Sequence, residues 1–294
     1  MSKRGRNTLS KCAPNYADGT ISCFTRDILF KIADSYNKNH NNKIDIRQSD
    51  NKRQIWYKIQ ESLEQACGDD ETCWLKQPFL SNSKMGMDLD QFFKPIAPLG
   101  QYQWLSTKDI GAVMKQYTKK YDGFRFFGPF PMDFMKLDYQ DILKFRSLNT
   151  IKDTRNQVTG AIFNMDPSTM NGSHWVALVI KKPSREIMYF DSYGDKFEFS
   201  NSHNINWTDS HGRRGTNQIP MPPPIQAYIK MINSELNYKV KANTIQHQYA
   251  NSECGIYSML FILKCLKHSF EKIAQEIILD EEVNKYRDIF FRRS

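Results

Sequence analysis

The sequence predicts an α+β fold, and three observations carry that prediction. Apolar residues recur at helical spacing through the first hundred residues, short strand-like runs cluster between 124 and 190, and a strongly apolar helix opens at Cys254. At 294 residues the chain is long enough for one large domain, or for one domain and a smaller companion, and has ample length to bury a core.

Taken in order, the elements begin with two amphipathic helices over 23–36 (Phe24, Ile28, Ile32) and 54–66 (Ile55, Ile59, Leu63). Pro95 and Pro98 interrupt regular structure and set a boundary near residue 100, with a helical extension over 1–100 and a second domain over 101–294. Thr107 is an expected N-cap for a helix over 108–121, where Ile110, Val113, Met114 and Tyr117 make one apolar face. Strands are expected over 124–127, 161–165, 175–180 and 187–190. The chain then turns polar from 195 to 224, and a helix over 225–236, a strand over 238–245 and helices over 254–268 and about 270–291 complete it, with no internal repeat.

Composition narrows the function classes. Hydrophobic residues make up 40% and aromatic residues 13%, and no apolar run approaches the roughly 20 residues that a membrane helix needs. The opening Met1-Ser2-Lys3-Arg4-Gly5-Arg6 leads into polar sequence, so no secretory signal and no membrane span are expected. Six cysteines at 12, 23, 67, 73, 254 and 265 are too sparse for a disulfide scaffold and read as thiols in a reducing, intracellular compartment. Cys67 and Cys73 are readable as a metal half-site or a redox pair, but with no CxxC or nearby His to complete a zinc set they read as two incidental thiols; neither a metal nor a cofactor is expected. Lys and Arg exceed Asp and Glu by nine, which favours nucleic acid, anionic surfaces or acidic partners electrostatically. No nucleic-acid recognition motif accompanies that charge.

The chemistry concentrates in two segments. The runs 175–180 and 187–190 flank a short polar stretch, 181–186, which reads as a hairpin turn. With the hairpin symmetric about Lys182 and Pro183, paired positions sum to 365 and His174 falls opposite Asp191. Cross-strand neighbours have Cβ atoms about 4.5–5.5 Å apart, so a carboxylate there reaches an imidazole and fixes its tautomer. In the second segment, Gln246 to Ile256, a polar loop delivers Cys254 to the start of a helix with little polar face. The helix dipole and a nearby imidazolium make the thiolate the expected form at neutral pH. The backbone N–H of Cys254 and the amide of Gln248 are candidate oxyanion donors.

Each piece alone has a structural reading: a core thiol, a strand histidine, an aspartate capping a turn. Their combination points to a thiol nucleophile with His174 as base and Asp191 orienting it. Cys265 lies about three helical turns beyond Cys254 and reads as core. His247 competes for the base role by sequence proximity, and His203 and His211 sit in the polar stretch without an identifiable partner.

At His174-Trp175, Asp191 and Gln248-x5-Cys254-Gly255 the sequence resembles the Ulp1/SENP and adenovirus-type cysteine protease clan, in which the order His, Asp, Gln, Cys is characteristic. The segments 172–178, 189–192 and 252–258 are most similar to the polyprotein-processing protease of African swine fever virus and related proteases of large DNA viruses. That enzyme carries Asn at the position of Asp191. The resemblance covers roughly 100–294 and implies a papain-like, Ulp1-type fold, with a central mixed sheet flanked by helices behind the helical N-terminal extension. It implies a cysteine endopeptidase acting after Gly-Gly or Gly-x-Gly sequences, with His174, Asp191, Cys254 and Gln248 catalytic and Trp104 and Trp175 binding substrate. The implied setting is a virion or host cytoplasm, where structural polyproteins are matured. Removal of SUMO or ubiquitin-like modifiers, acyl transfer to Lys, Ser or Thr, and a binding module without turnover are the alternatives. DNA, a cofactor of the adenovirus relative, is an implied partner for the basic surface.

Overall fold

The computed structural model describes residues 11–17, 21–82, 84–100, 102–194, 196–199, 205–208, 221–243 and 245–293. His203 and His211 lie outside them. The chain divides into two compact units, one of residues 1–97 with 288–294 and one of 98–287.

The first unit is helical. Helix α1, Arg26–Asn39, is capped by Thr25, whose side chain accepts from the Ile28 N–H. Helix α2, Lys52–Cys67, opens with a reciprocal capping box between Asn51 and Gln54. Short helices over Glu71–Trp74, Pro78–Ser81 and Lys84–Leu89 follow. Phe24, Ile32, Ile55, Ile59 and Leu63 of the expected stripes are buried in a core of their own with Leu29 and Trp74, and Ile28 is partly buried against it.

Here the cysteine reading is corrected. Cys12 is bonded to Cys23 and Cys67 to Cys73, with Cα atoms 5.1 and 5.4 Å apart. Those four residues are not free thiols, and the reducing-compartment expectation loses the support they gave it. Cysteine density over the whole chain misled, because all four bridged residues fall within the first 73.

The second unit is built on a mixed five-stranded sheet in the order β1-β2-β3-β4-β7. Strands β1 (Phe124–Phe130) and β2 (Val158–Asn164) pair in parallel, β2, β3 (Trp175–Lys181) and β4 (Glu186–Phe190) pair antiparallel, and β7 (Lys239–Ala242) runs parallel to β4. Strands β5 (Lys196–Phe199) and β6 (Ile205–Thr208) make a separate two-stranded ribbon. This is the α+β class with a central mixed sheet. Helix α3, Thr107–Lys120, starts one residue earlier than expected, because Ser106 rather than Thr107 is the N-cap and forms a capping box with Asp109.

Helix α4, Pro223–Leu236, packs Ile225, Tyr228, Ile229 and Ile232 into the same core as Leu178 and Ile180 of β3. Helix α5, Cys254–Cys265, is buried along nearly its whole length and packs against β3. The apolar residues that leave it little polar face put it inside the domain, so that only its first turn is left for chemistry. The final helical stretch divides into Phe270–Gln275 and α6, Asp280–Phe290.

Candidate functional site

The hairpin that carries the histidine is displaced by two residues from the sequence expectation. Ala177 pairs with Phe190 and Lys181 with Glu186, so paired positions sum to 367. The turn is centred on Pro183 and Ser184, and Arg185 takes a left-handed φ of 52° to close it. The ladder ends before His174, and the following residues curl so that Asp191 reaches it diagonally. The contact expected from the wrong register is nonetheless made: His174 Nε2 donates to Asp191 Oδ1 at 2.7 Å, with both residues buried.

Asp191 is fixed from its own turn. The same Oδ1 accepts from the Tyr193 N–H at 2.9 Å, and Gly194 N donates to the Asp191 carbonyl oxygen at 3.0 Å. Gly194 holds φ at 60°, and a Cβ there would fall 2.1 Å from the Ile245 carbonyl oxygen, so only glycine lets the turn pass that backbone. Tyr193 then lies over the imidazole, ring centroids 4.5 Å apart and 21° from parallel.

Cys254 begins α5, whose first turn has no side-chain cap, and only 2% of the residue is exposed. With Nε2 of His174 engaged by the carboxylate, Nδ1 is the nitrogen left for the thiol. Burial alone would lower the His174 pKa; the Asp191 carboxylate, and then the hydrogen bond and charge of Cys254, outweigh it and raise the value to about 10. The imidazole therefore carries its proton through the neutral range beside the sulfur. Gly255 admits this packing, because a Cβ there would come within 3.3 Å of Leu105 and of the Trp175 ring.

The other predicted residues divide. Gln248 is fully buried; its Oε1 accepts from Ser192 Oγ at 2.6 Å and its Nε2 donates to the Ala250 carbonyl oxygen at 2.7 Å. The backbone N–H groups of His247 and Gln248 both donate to the Ser192 carbonyl oxygen. Gln248 is thus tied to the residue that follows Asp191. Trp175 is a buried wall whose indole N–H donates to the Leu105 carbonyl oxygen at 3.0 Å, while Trp104 is 46% exposed. His247 is packed between Phe190 and Tyr257, and burial holds its pKa below the usual imidazole value.

Sequence reasoning missed Tyr193, Ser192, Asn243 and Arg287. The guanidinium of Arg287 donates to the Ser252 carbonyl oxygen from Nη2 and to the Gln103 carbonyl oxygen from Nη1, each at 3.0 Å, bracing the loop before Cys254. These contacts span from 35 to 184 residues of sequence, and the only available signal was the position of Ser192 and Tyr193 directly after the predicted Asp191.

A buried thiol, imidazole and carboxylate at a helix start on a mixed sheet define a thiol-dependent enzyme. The chain belongs to the family described as YopJ serine/threonine acetyltransferase, whose model matches residues 107–289. A protein of Acanthamoeba polyphaga mimivirus named as a thiol protease is 27% identical over 96% of this chain and 93% of its own. The SUMO-1 cysteine protease of African swine fever virus, isolate Pig/Kenya/KEN-50/1950, is 25% identical over 76% of this chain and 83% of its own. The crystal structure of the African swine fever virus protease superposes with a TM-score of 0.64 at 22% identity, covering 98% of this chain and 97% of that one, which establishes the shared fold. The chain is a cysteine protease with viral relatives. Among the described residues no helix is long and apolar enough to cross a membrane.

Proposed function

We propose that this enzyme cleaves after small residues in Gly-Gly or Gly-x-Gly sequences and matures viral structural polyproteins, with Cys254, His174, Asp191 and Gln248 as its working residues. The observation that carries the reading is the buried His174–Asp191 bond of 2.7 Å, in an imidazole whose pKa the Asp191 carboxylate and then Cys254 raise. The Cys254 thiolate attacks the scissile carbonyl carbon and the electron pair moves onto oxygen. The Cys254 N–H and the amide hydrogen of Gln248 not held by Ala250 stabilise that oxyanion. Collapse expels the amine, which takes the proton of His174, and leaves a thioester. Neutral His174 then removes a proton from water as its oxygen attacks the thioester; carboxylic acid leaves and the thiolate–imidazolium pair returns. Small residues at the scissile bond suit a site where Leu105 and Trp175 close in on Gly255, and exposed Trp104 offers a surface for the residues beyond.

Two other acceptors or substrates are favoured by particular observations. The family description favours an acyl-enzyme resolved by a Ser or Thr hydroxyl instead of water. The name of the swine fever relative favours a SUMO tail as the acyl donor. A single panel separates them: Gly-Gly-x peptides, SUMO and ubiquitin vinyl sulfones, and acetyl-CoA with protein acceptor, each with and without duplex DNA. Peptide turnover without modifier labelling is the expected result. Rapid labelling by the SUMO probe would sink the polyprotein reading, and acetyl transfer without peptide hydrolysis would sink hydrolysis itself. Rate enhancement by DNA would give the +9 charge a role.

A further inference from the structure

We propose that Asn243 is a positioning residue that holds Asp191 in register with His174, a reading that rests on the role of Asp191 given above. The parallel ladder between β4 and β7 ends at Tyr189 and Ala242. One residue on, the side chain of Asn243 takes the place of the missing strand. Its Oδ1 accepts from the Asp191 N–H at 2.9 Å, and its Nδ2 donates to the Asp191 carbonyl oxygen at 2.7 Å. The second hydrogen on Nδ2 goes to the Ile245 carbonyl oxygen at 3.1 Å, so both amide hydrogens are committed and the amide is fixed in one orientation. The residue is buried.

The chemistry of that grip is specific. The backbone of Asp191 offers one donor and one acceptor, and only a group that both accepts and donates in one plane answers both. An aspartate at 243 would set an oxygen against the Asp191 carbonyl, and leucine, of similar size, would leave the Asp191 N–H buried and unpaired and its carbonyl with the Gly194 N–H alone. Asp191 needs this support because its chain direction changes there: β4 stops at Phe190, and a turn begins at once that carries Ser192 to Gln248 and Tyr193 over the imidazole. A carboxylate on an unsupported backbone would sample positions beyond reach of His174 Nε2. Asn243 touches neither thiol nor imidazole, so it acts through Asp191 alone.

The test is an NMR titration of the His174 imidazole in the full chain, comparing wild type, Asn243→Ala, Asp191→Ala and the double variant. In wild type the imidazole should hold its proton to about pH 10. Asn243→Ala should lower that midpoint by about one pH unit or more, a tenfold loss of carboxylate attraction. In the Asp191→Ala background the same change should add nothing. An unshifted midpoint in Asn243→Ala overturns the proposal, and so does a full additional shift in the double variant, which a general loosening of the fold would give. An unshifted midpoint in Asp191→Ala removes the role of Asp191 itself and is distinct from either. Should the alanine variant not fold, Asn243→Thr, whose hydroxyl can meet one of the two backbone groups, carries the test with an intermediate shift expected.

Discussion

Each of the two units buries a carboxylate, and the partners differ in kind. In the first, Glu71 is wholly buried and receives hydrogen bonds from the Ser22 hydroxyl, the Cys23 N–H at 2.9 Å and the Trp56 indole at 2.7 Å. In the second, Asp191 receives an imidazole that stands beside a thiol. The cysteines divide in the same way: four are joined in bridges in the first unit, while Cys254 and Cys265 are free in the second. A buried acid surrounded by neutral donors ties segments together and has nothing to exchange a proton with. A buried acid facing an imidazole sets the proton affinity of that ring, and the ring can pass its proton to a third group. Burial of an acid is therefore common to both units, and the chemistry of the partner separates knot from engine.

The strongest way to break the comparison is at sulfur. Cys254→Ala should reduce turnover of a cleaved peptide by at least about a thousandfold, because the thiolate is the group that forms the acyl bond. Cys265→Ala should leave turnover near wild type, since that thiol sits fully buried at the far end of α5 and burial pushes its pKa well up. Intact-mass analysis after iodoacetamide, at neutral pH on the native chain, should find one adduct, at Cys254. Equal labelling of both thiols, or turnover surviving in Cys254→Ala, would erase the distinction.

Much of the second unit was legible because its signals are local. The apolar face of α3, the continuous apolar runs of the buried strands and the apolar run after Cys254 are each written within a dozen residues. His174 and Asp191 could be paired because a hairpin brings them together over 17 residues, even though the turn was placed one position out and the register two. The register failed because closure depends on Arg185 entering left-handed space, which arginine does not advertise. The grip of Asn243 on Asp191 spans 52 residues and has no periodicity behind it. Trp175 is buried, and the bond that holds its N–H goes to a carbonyl 70 residues away, which no local pattern announces. The bridges of the first unit were hidden for a related reason: the spacing of 11 and 6 residues between partners is short, but a count over the whole chain dilutes it.

Those bridges give the next prediction, smaller than the loss at Cys254. Closing loops of 11 and 6 residues should stabilise the first unit by roughly 2–3 kcal/mol per bridge through the lost freedom of the unfolded chain. Reductant should therefore lower the denaturant midpoint of the native chain while keeping Cys254 in its reactive form, so that stability and alkylation rate move in opposite directions. Replacement of Cys12 and Cys23 by Ser should reproduce the stability loss without reductant. An unchanged midpoint in both experiments would show that the bridges hold nothing the helical core does not already hold.

The last effect, smaller than the loss of both bridges together, concerns Glu71, and its sign distinguishes a knot from an ion pair. Burial raises its pKa to about 7, against which the hydrogen bonds from Ser22, Cys23 and Trp56 pull down, and the attraction of Lys52 is too small to reverse the outcome. The folded chain thus holds a proton that the unfolded chain, titrating near 4.5, has already released. Between these values the native state binds more protons than the unfolded state, so stability must fall as pH rises from about 4.5 to 7. The full effect is about 3 kcal/mol, complete above the native pKa. An ion-paired carboxylate would show the reverse slope, gaining stability over its titration range as pH rises. Glu71→Gln cannot ionise, so the difference in unfolding free energy between wild type and this variant should grow in the variant's favour from pH 5 to pH 8, whatever constant offset the amide introduces at Cys23. A difference that stays flat with pH would mean that the three donors hold Glu71 ionised throughout, and that the two buried acids are closer in character than their partners suggest.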